Sequence, residues 1–152
     1  MKNAVYALKA TRKERNENMG YTRDKASANL ANDFNTGVYI GLSTTKPNEN
    51  GGNFTEPLSA NGYDRKQLEE LDKSIKGQIA NKAQMAFNES IEAGYGTVTH
   101  FGAFASKAAT VPFFTGALTT PQTIGPGYIP IFRKHQFVIG LDKDVLEPYP
   151  TN

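Results

Sequence analysis

The most constraining feature of the sequence is a pair of strand-like segments that follow one another after residue 95. The first, residues 96–104, opens on glycine and runs through β-branched and aromatic residues at the spacing of a β-strand. The second, residues 116–121, ends in Thr-Thr-Pro, where proline removes a backbone donor and is expected to end the pairing. Both segments are suited to building a sheet, and neither arranges its residues for catalysis.

Shorter strand-like segments recur along the chain, and turn signals separate them about every ten residues. Roughly seven or eight strands without a βαβ rhythm predict a mainly β protein, an antiparallel β-sandwich or jelly-roll-like domain. Leu68, Leu71 and Ile75 lie at helical spacing and predict a short helix over residues 68–76. Prolines 112, 126 and 130 are expected at sheet edges or bulges. The alternation predicts burial of Val98, Phe104, Phe114, Leu118, Val138 and Leu141.

The first 33 residues differ from the rest and predict an extended or partly helical N-terminal arm. They carry seven Lys or Arg against four Asp or Glu and few large apolar residues, too few to bury a core of their own. A short helix over residues 24–30 is one option. The chain therefore divides into an arm, residues 1–33, and a β-sandwich domain, residues 34–152.

The arm is expected to gain order by lying across a partner surface, because burial of its apolar residues would offset the entropy lost on ordering. Its basic residues could pair with acidic groups of a partner protein or of a neighbouring copy. The alternative is a solvated tail. The candidate partner-binding residues are Val5, Tyr6, Leu8, Arg12, Lys13, Arg15, Tyr21 and Arg23.

Composition argues against most forms of chemistry. The chain has no cysteine and two histidines, and no motif brings His, Asp or Glu to metal-ligand spacing. We expect no catalytic residue, no cofactor and no metal, and hence no enzyme. A net charge of +2 is too small to predict nucleic-acid or membrane binding. His100 is expected to be a hydrogen-bonded core or interface residue, and His135 is expected either to lie in a solvated loop or to make a basic contact.

Several segments together resemble a family of small tailed-phage virion proteins, described as tail-fibre-like or head-decoration β-sandwich proteins. Residues 37–47 are similar to the family's first strand and GLSTxxP turn, and residues 61–65 stand where it has GGYAR. Residues 96–104 are similar to its WGTVTHFGIF, residues 116–121 to its GALTTP, and residues 137–142 to its closing strand. The charged segment 68–76 and the basic arm depart from the pattern.

The resemblance implies a bacteriophage virion building block, made in the host cytoplasm and located in the virion, with no catalytic residues to transfer. It also implies a jelly-roll-like homotrimer. Three functions are considered, and the first is favoured, because a single sandwich with an arm provides neither the long shaft nor the distal receptor domain of a fibre. The first is a capsid decoration or cement protein that sits on the head and attaches to the major capsid protein or other virion proteins through its arm. The second is a tail-fibre, head-fibre or collar component. The third is a carbohydrate-binding jelly roll, for which Tyr63, Tyr95 and Tyr128 are possible stacking platforms.

Overall fold

The strands of this protein form two packed layers. A computed structural model describes residues 4–14, 32–34, 37–75, 78–141 and 148–149. These contain nine β-strands, a single turn of 3₁₀ helix, Ser59–Asn61, and two α-helical residues, Asn32 and Asp33. The strands are β1 (Ala4–Glu14), β2 (Tyr39–Ser43), β3 (Lys66–Gln67), β4 (Leu71–Asp72), β5 (Gln78–Asn81), β6 (Met85–Ala86), β7 (Gly96–Phe104), β8 (Phe114–Ile124) and β9 (Tyr128–Leu141).

One layer has the strand order β3-β2-β7-β8, and the other has β1-β9-β5-β4 with β6 on β9. The layers join where Ala10 of β1 pairs with Leu118 of β8. Their inner faces meet in one hydrophobic core, in which Phe101 of β7 lies edge-on to Phe137 of β9 with 5.0 Å between ring centroids. The mainly β, two-layered fold predicted from the sequence is therefore confirmed.

The period-two pattern placed most core residues correctly. Phe114 is only partly buried, because it lies at the start of β8 beside exposed Phe113. The side chain of Leu141 lies outside the described residues. Buried as predicted are Val98, Phe104, Leu118 and Val138.

The first strand lies within the sheet. β1 runs antiparallel to β8 on one side and parallel to β9 on the other. This parallel pair is an exception to the antiparallel pattern expected from the sequence. Leu8 of β1 is 1% exposed and belongs to the core. The division of the chain at residue 33 stays a prediction, and the possible helix over residues 24–30 lies outside the described residues.

The helix predicted for residues 68–76 is wrong over its described part. Leu71 and Asp72 instead form β4, which pairs with Asn81 and Ala80 of β5. Leu68 is fully buried, and its N–H donates to the carbonyl of Val38 at 2.8 Å. Strand pairing and burial of Leu68 thus override the helical spacing of this segment, as tertiary contacts commonly do.

Two prolines lie inside strands. Pro121 does not end β8, which continues to Ile124. It lies where the register of β8 against β7 shifts, between Ala117, the partner of His100, and Gln122, the partner of Val98. Pro130 lies within β9, opposite Tyr6 of β1. The carbonyl of Pro130 accepts the N–H of Phe87 at 2.9 Å, next to the end of β6. Because the nitrogen and the carbonyl of a strand residue point to the same side, the N–H that proline lacks would also point towards β6 and not towards β1.

Strand β9 carries a wide bulge, which a single buried side chain closes. Leu8 and Ala10 of β1 pair with Phe132 and Phe137, so four residues of β9 loop out between them, and His135 has φ 62°. The amide of Asn81, fully buried, donates to the carbonyls of Phe132 and Arg133 at 3.3 and 2.9 Å. The side-chain oxygen of Asn81 accepts the N–H of Phe137 at 2.9 Å. Asn81 thus provides hydrogen-bond partners for backbone groups on both sides of the bulge.

Replacing Asn81 by alanine should destabilise the fold, because the N–H of Phe137 loses its partner while still buried. The expected loss is about 1–3 kcal/mol in the free energy of unfolding, measured by denaturant titration. Asn88→Ala is the matched control: Asn88 is exposed and donates only to the carbonyl of Gly62, at 3.1 Å. Equal stabilities of the two variants would contradict the role given to Asn81.

Candidate functional site

The outer face of the β2–β7 pair is shaped by two glycines. Gly41 and Gly102 lie opposite each other in the ladder. A Cβ at Gly102 would lie 2.8 Å from the ring of Phe54, and one at Gly41 would lie 2.9 Å from Glu56 Oε1 and from the hydroxyl of Tyr63. The missing side chains therefore let residues 54–63 lie directly on the sheet, where any larger residue would clash.

Arg65, Glu56 and Tyr63 form a compact network on this face. Arg65 donates from Nε to Glu56 Oε1 at 3.0 Å and from Nη2 to Oε2 at 2.8 Å, a bidentate ion pair. The Tyr63 hydroxyl donates to Glu56 Oε1 at 2.6 Å and accepts the N–H of Leu42 at 3.0 Å. Burial, with the charge of Glu56, raises the pKa of Tyr63 far above its ordinary value, so this hydroxyl stays a donor.

Arg65 also holds the loop after β7, residues 105–113. Its Nη1 donates to the carbonyls of Lys107 and Ala109 at 2.9 and 2.7 Å. The guanidinium lies 3.5 Å from the ring centroid of Phe104, a cation–π contact. A more exposed ion pair joins Lys107 to Asp64 at 3.0 Å. The planar fork of arginine thus ties two other segments, the one around Glu56 and the loop after β7, to its own segment above Phe104 of the sheet.

This braced loop presents apolar side chains to solvent. Val111 is 53% exposed and Phe113 is 44% exposed. Phe113 packs on the buried ring of Phe34 with centroids 5.4 Å apart. An open cleft of about 430 Å³ lies beside it and is lined by Asp33, Val38, Ala105 and Phe113. We call the loop 105–113 together with this cleft the apolar face.

A second apolar site lies apart from the ion-pair network. Leu58 is 66% exposed and precedes the 3₁₀ helix, and Ile91 is 47% exposed in the turn before β7. The N–H of Ile91 donates to the carbonyl of Asn61 at 2.9 Å, which joins the two turns. Gly62 between them has φ 94°, and a Cβ there would lie 2.6 Å from the carbonyl of Glu89. Only glycine fits this close approach.

The structure brings together few of the candidate partner-binding residues. Leu8 is buried within the core of its own chain. Val5, Tyr6, Arg12 and Lys13 lie on β1, but their side chains are outside the described residues. Arg15, Tyr21 and Arg23 lie wholly outside the described residues. Attachment of the arm to a partner therefore stays a prediction.

The tyrosines considered as sugar platforms do not present free rings. Tyr63 and Tyr95 are 7% and 3% exposed and pack edge-on with centroids 5.6 Å apart. Burial raises the pKa of Tyr95 to about 12. Tyr128 is partly buried against the same core. Stacking on a sugar needs an exposed ring face, so the structure does not favour the two buried tyrosines as platforms.

Neither histidine lies in a metal-binding group: among the described residues, no cluster of His, Asp or Glu could hold a metal ion. His100 is partly buried, and its Nδ1 lies 2.8 Å from the hydroxyl of Thr99. Burial, and then the charge of Lys46, lower its pKa. Of the two options for His135, the structure favours a contact over a solvated loop, because its Nε2 lies 2.9 Å from Asp72 Oδ2 and its ring stacks on Tyr149 at 4.2 Å.

Sequence reasoning missed the Arg65 network and the His135 pair. Arg65 and Glu56 are nine residues apart and belong to irregular segments, so no periodic pattern relates them. Asp72 and His135 are 63 residues apart. One signal was available for the first site: the paired glycines 41 and 102, on strands that the sequence indicated, predict a close approach by another segment.

A family model described as "Podophage GP4 fiber I protein gp80" matches residues 29–140, more than half of the chain. The chain belongs to this phage fibre family. A search of the curated proteins finds no match. No helix in the described parts of the chain has the length and apolarity to cross a membrane.

Arg65→Lys should loosen the apolar face while leaving the net charge unchanged. Lysine cannot form the bidentate pair with Glu56 and also reach the carbonyls of residues 107 and 109. Amide hydrogen exchange over residues 105–113 should therefore become faster, with a stability loss of about 1–3 kcal/mol. Arg133→Lys is the control, since Arg133 is exposed. Unchanged exchange in the Arg65 variant would contradict the bracing role.

The lowered pKa of Asp72 should make the stability of the fold depend on pH in the acidic range. Hydrogen bonds from Ser74, and then from His135, hold the pKa of Asp72 below its ordinary value of 3.8. The folded state thus binds the proton less tightly than the unfolded state. This contribution to stability is present above pH 3.8 and is lost as pH falls through the lowered folded pKa.

Asp72→Asn should therefore flatten the fall in stability below pH 4, measured by urea titration at several pH values. Asp64→Asn is the control, because the Asp64–Lys107 pair is about half exposed and contributes little. An acid profile of Asp72→Asn identical to that of the natural chain would refute the assignment.

Proposed function

We propose that this protein is a structural subunit of a podophage virion fibre and acts through protein–protein contacts and not through catalysis. The observation that carries the proposal is the family match over residues 29–140, which spans β2 to β8 and all but the last residue of β9. Its location is the virion, after synthesis in the host cytoplasm.

The apolar face supports a role in assembly. Protein interfaces use aromatic and aliphatic anchors on rigid supports, since ordering a mobile loop costs free energy on binding. Phe113 and Val111 are such anchors, and Arg65 holds their loop in place before any partner arrives. The proposed occupant of this face is a neighbouring fibre subunit, and the proposed assembly is a homotrimer, since closed symmetry covers exposed sheet edges and apolar patches.

Capsid decoration is the second candidate. The described residues fold into one body without an extended shaft, which suits a protein placed on the capsid as well as one placed at a fibre anchor. In that case the partner is the major capsid protein. The carbohydrate-binding alternative has weaker support, because Tyr63 and Tyr95 are buried.

Cryo-electron microscopy of virions labelled with Fab fragments against this chain tests the proposal. We expect label on fibres or their anchoring ring, in threefold groups, with the apolar face towards neighbouring density. An unrelated Fab is the control. Label spread over the capsid lattice would replace the fibre assignment with decoration. Absence of the chain from purified virions, measured by mass spectrometry, would overturn both.

A further inference from the structure

Strands β8 and β9 follow one another in the chain but do not pair. Only residues 125–127 separate Ile124 from Tyr128. A connection of three residues between antiparallel strands normally makes a hairpin, in which the two strands share a ladder. Here β1 lies between them. The two strands thus form the walls of a slot, and a segment from far away in sequence fills it.

The slot depends on its occupant. β1 pairs with β9 at ten positions, from Ala4 opposite Tyr128 to Glu14 opposite Leu141. Leu8 is 1% exposed in the shared core. Without β1, the facing edge of β9 would leave its backbone groups unpaired, and the core would lose Leu8. Such an edge is a template for pairing with another strand.

The slot lies within the family match, but the occupant does not. The match covers residues 29–140 and so includes β8 and nearly all of β9, whereas β1 ends at residue 14. The region that this chain shares with its family therefore contains the walls of the slot. The strand that fills it comes from a part of the chain outside that match.

The chain between β1 and the body allows the strand to come from either of two copies. Ala10 pairs with Leu118 and Glu14 with Leu141, so β1 ends near the start of β8. Phe34 packs on Phe114, also at the start of β8, with centroids 5.3 Å apart. Both ends of the connection thus lie at one end of the body. Seventeen residues, 15–31, can reach about 55–60 Å when extended, which suffices to enter an adjacent copy.

We propose that the slot between β8 and β9 is a strand-accepting site, and that in the assembled particle it takes β1 of a neighbouring copy of this chain. The exchanged and closed forms make the same contacts in the slot. The balance between them is set by the local concentration of copies against the effective concentration of the tethered strand. A particle that holds copies side by side favours exchange.

Engineered cysteines in the full chain test this exchange, because the natural sequence has no cysteine. Ala10 and Leu118 are antiparallel partners, at a spacing that a disulfide can bridge. A tagged Ala10→Cys chain and an untagged Leu118→Cys chain are unfolded, mixed, refolded at high concentration and oxidised. We expect a disulfide between the two chains, identified by mass spectrometry, that is lost when refolding is carried out at high dilution.

Two controls make the result decisive. Thr119→Cys replaces Leu118→Cys in a parallel mixture; Thr119 is the exposed neighbour of Leu118 and should not link to residue 10. The double variant Ala10→Cys/Leu118→Cys shows whether β1 enters the slot at all. Linkage only within the double variant, with the mixtures of single variants equal to the Thr119 control, would overturn exchange. No linkage in the double variant would overturn the slot itself. Neither outcome bears on where the protein sits in the virion.

Discussion

The fold depends on the use of both edges of β9. One edge pairs with β1 on both sides of the bulge, and the other carries β6 before the bulge and β5 after it. Strand β9 has 14 residues and is longer than either β5 or β6. The bulge divides it into one part that pairs with β6 and another that pairs with β5. Asn81 makes this division possible, since its amide replaces the ladder bonds that the bulge removes. Every strand of this layer except β4 contacts β9 directly.

In the layer β3-β2-β7-β8, two glycines determine how the irregular segments pack on the outer face. Because Gly41 and Gly102 have no side chains, Phe54, Glu56 and Tyr63 pack directly on the backbone of this face. Arg65 can then lie flat on Phe104 and hold the loop that follows β7. The irregular segments of this protein are therefore tied to the sheet by fixed polar contacts, and the apolar residues they expose are held in one arrangement. Such rigidity favours assembly, because little order must be created on contact.

The sequence predicted the parts of this structure that follow from local periodicity. The alternation of residues 96–104 predicted burial of Val98 and Phe104, and both are buried, although Phe104 packs against Phe54 and Arg65 on the outer face and not in the central core. Contacts between residues far apart in the sequence could not be predicted. Leu68 is held in the core by a hydrogen bond to Val38, 30 residues away and next to β2, which helical spacing cannot reveal. The position of β1 between two later strands, and the ion pair between Arg65 and Glu56, likewise depend on contacts that have no period in sequence.

The parallel pair of β1 and β9 also sets the order of events during synthesis. Tyr128 follows its partner Ala4 by 124 residues. At a translation rate of about 5–20 residues per second, roughly 6–25 s pass between the two. The first strand thus leaves the ribosome long before its own slot exists, and non-local pairing of this kind is slow to form. If the slot takes β1 of a neighbouring copy, as proposed above, this interval leaves each first strand available to other copies before its own slot has formed.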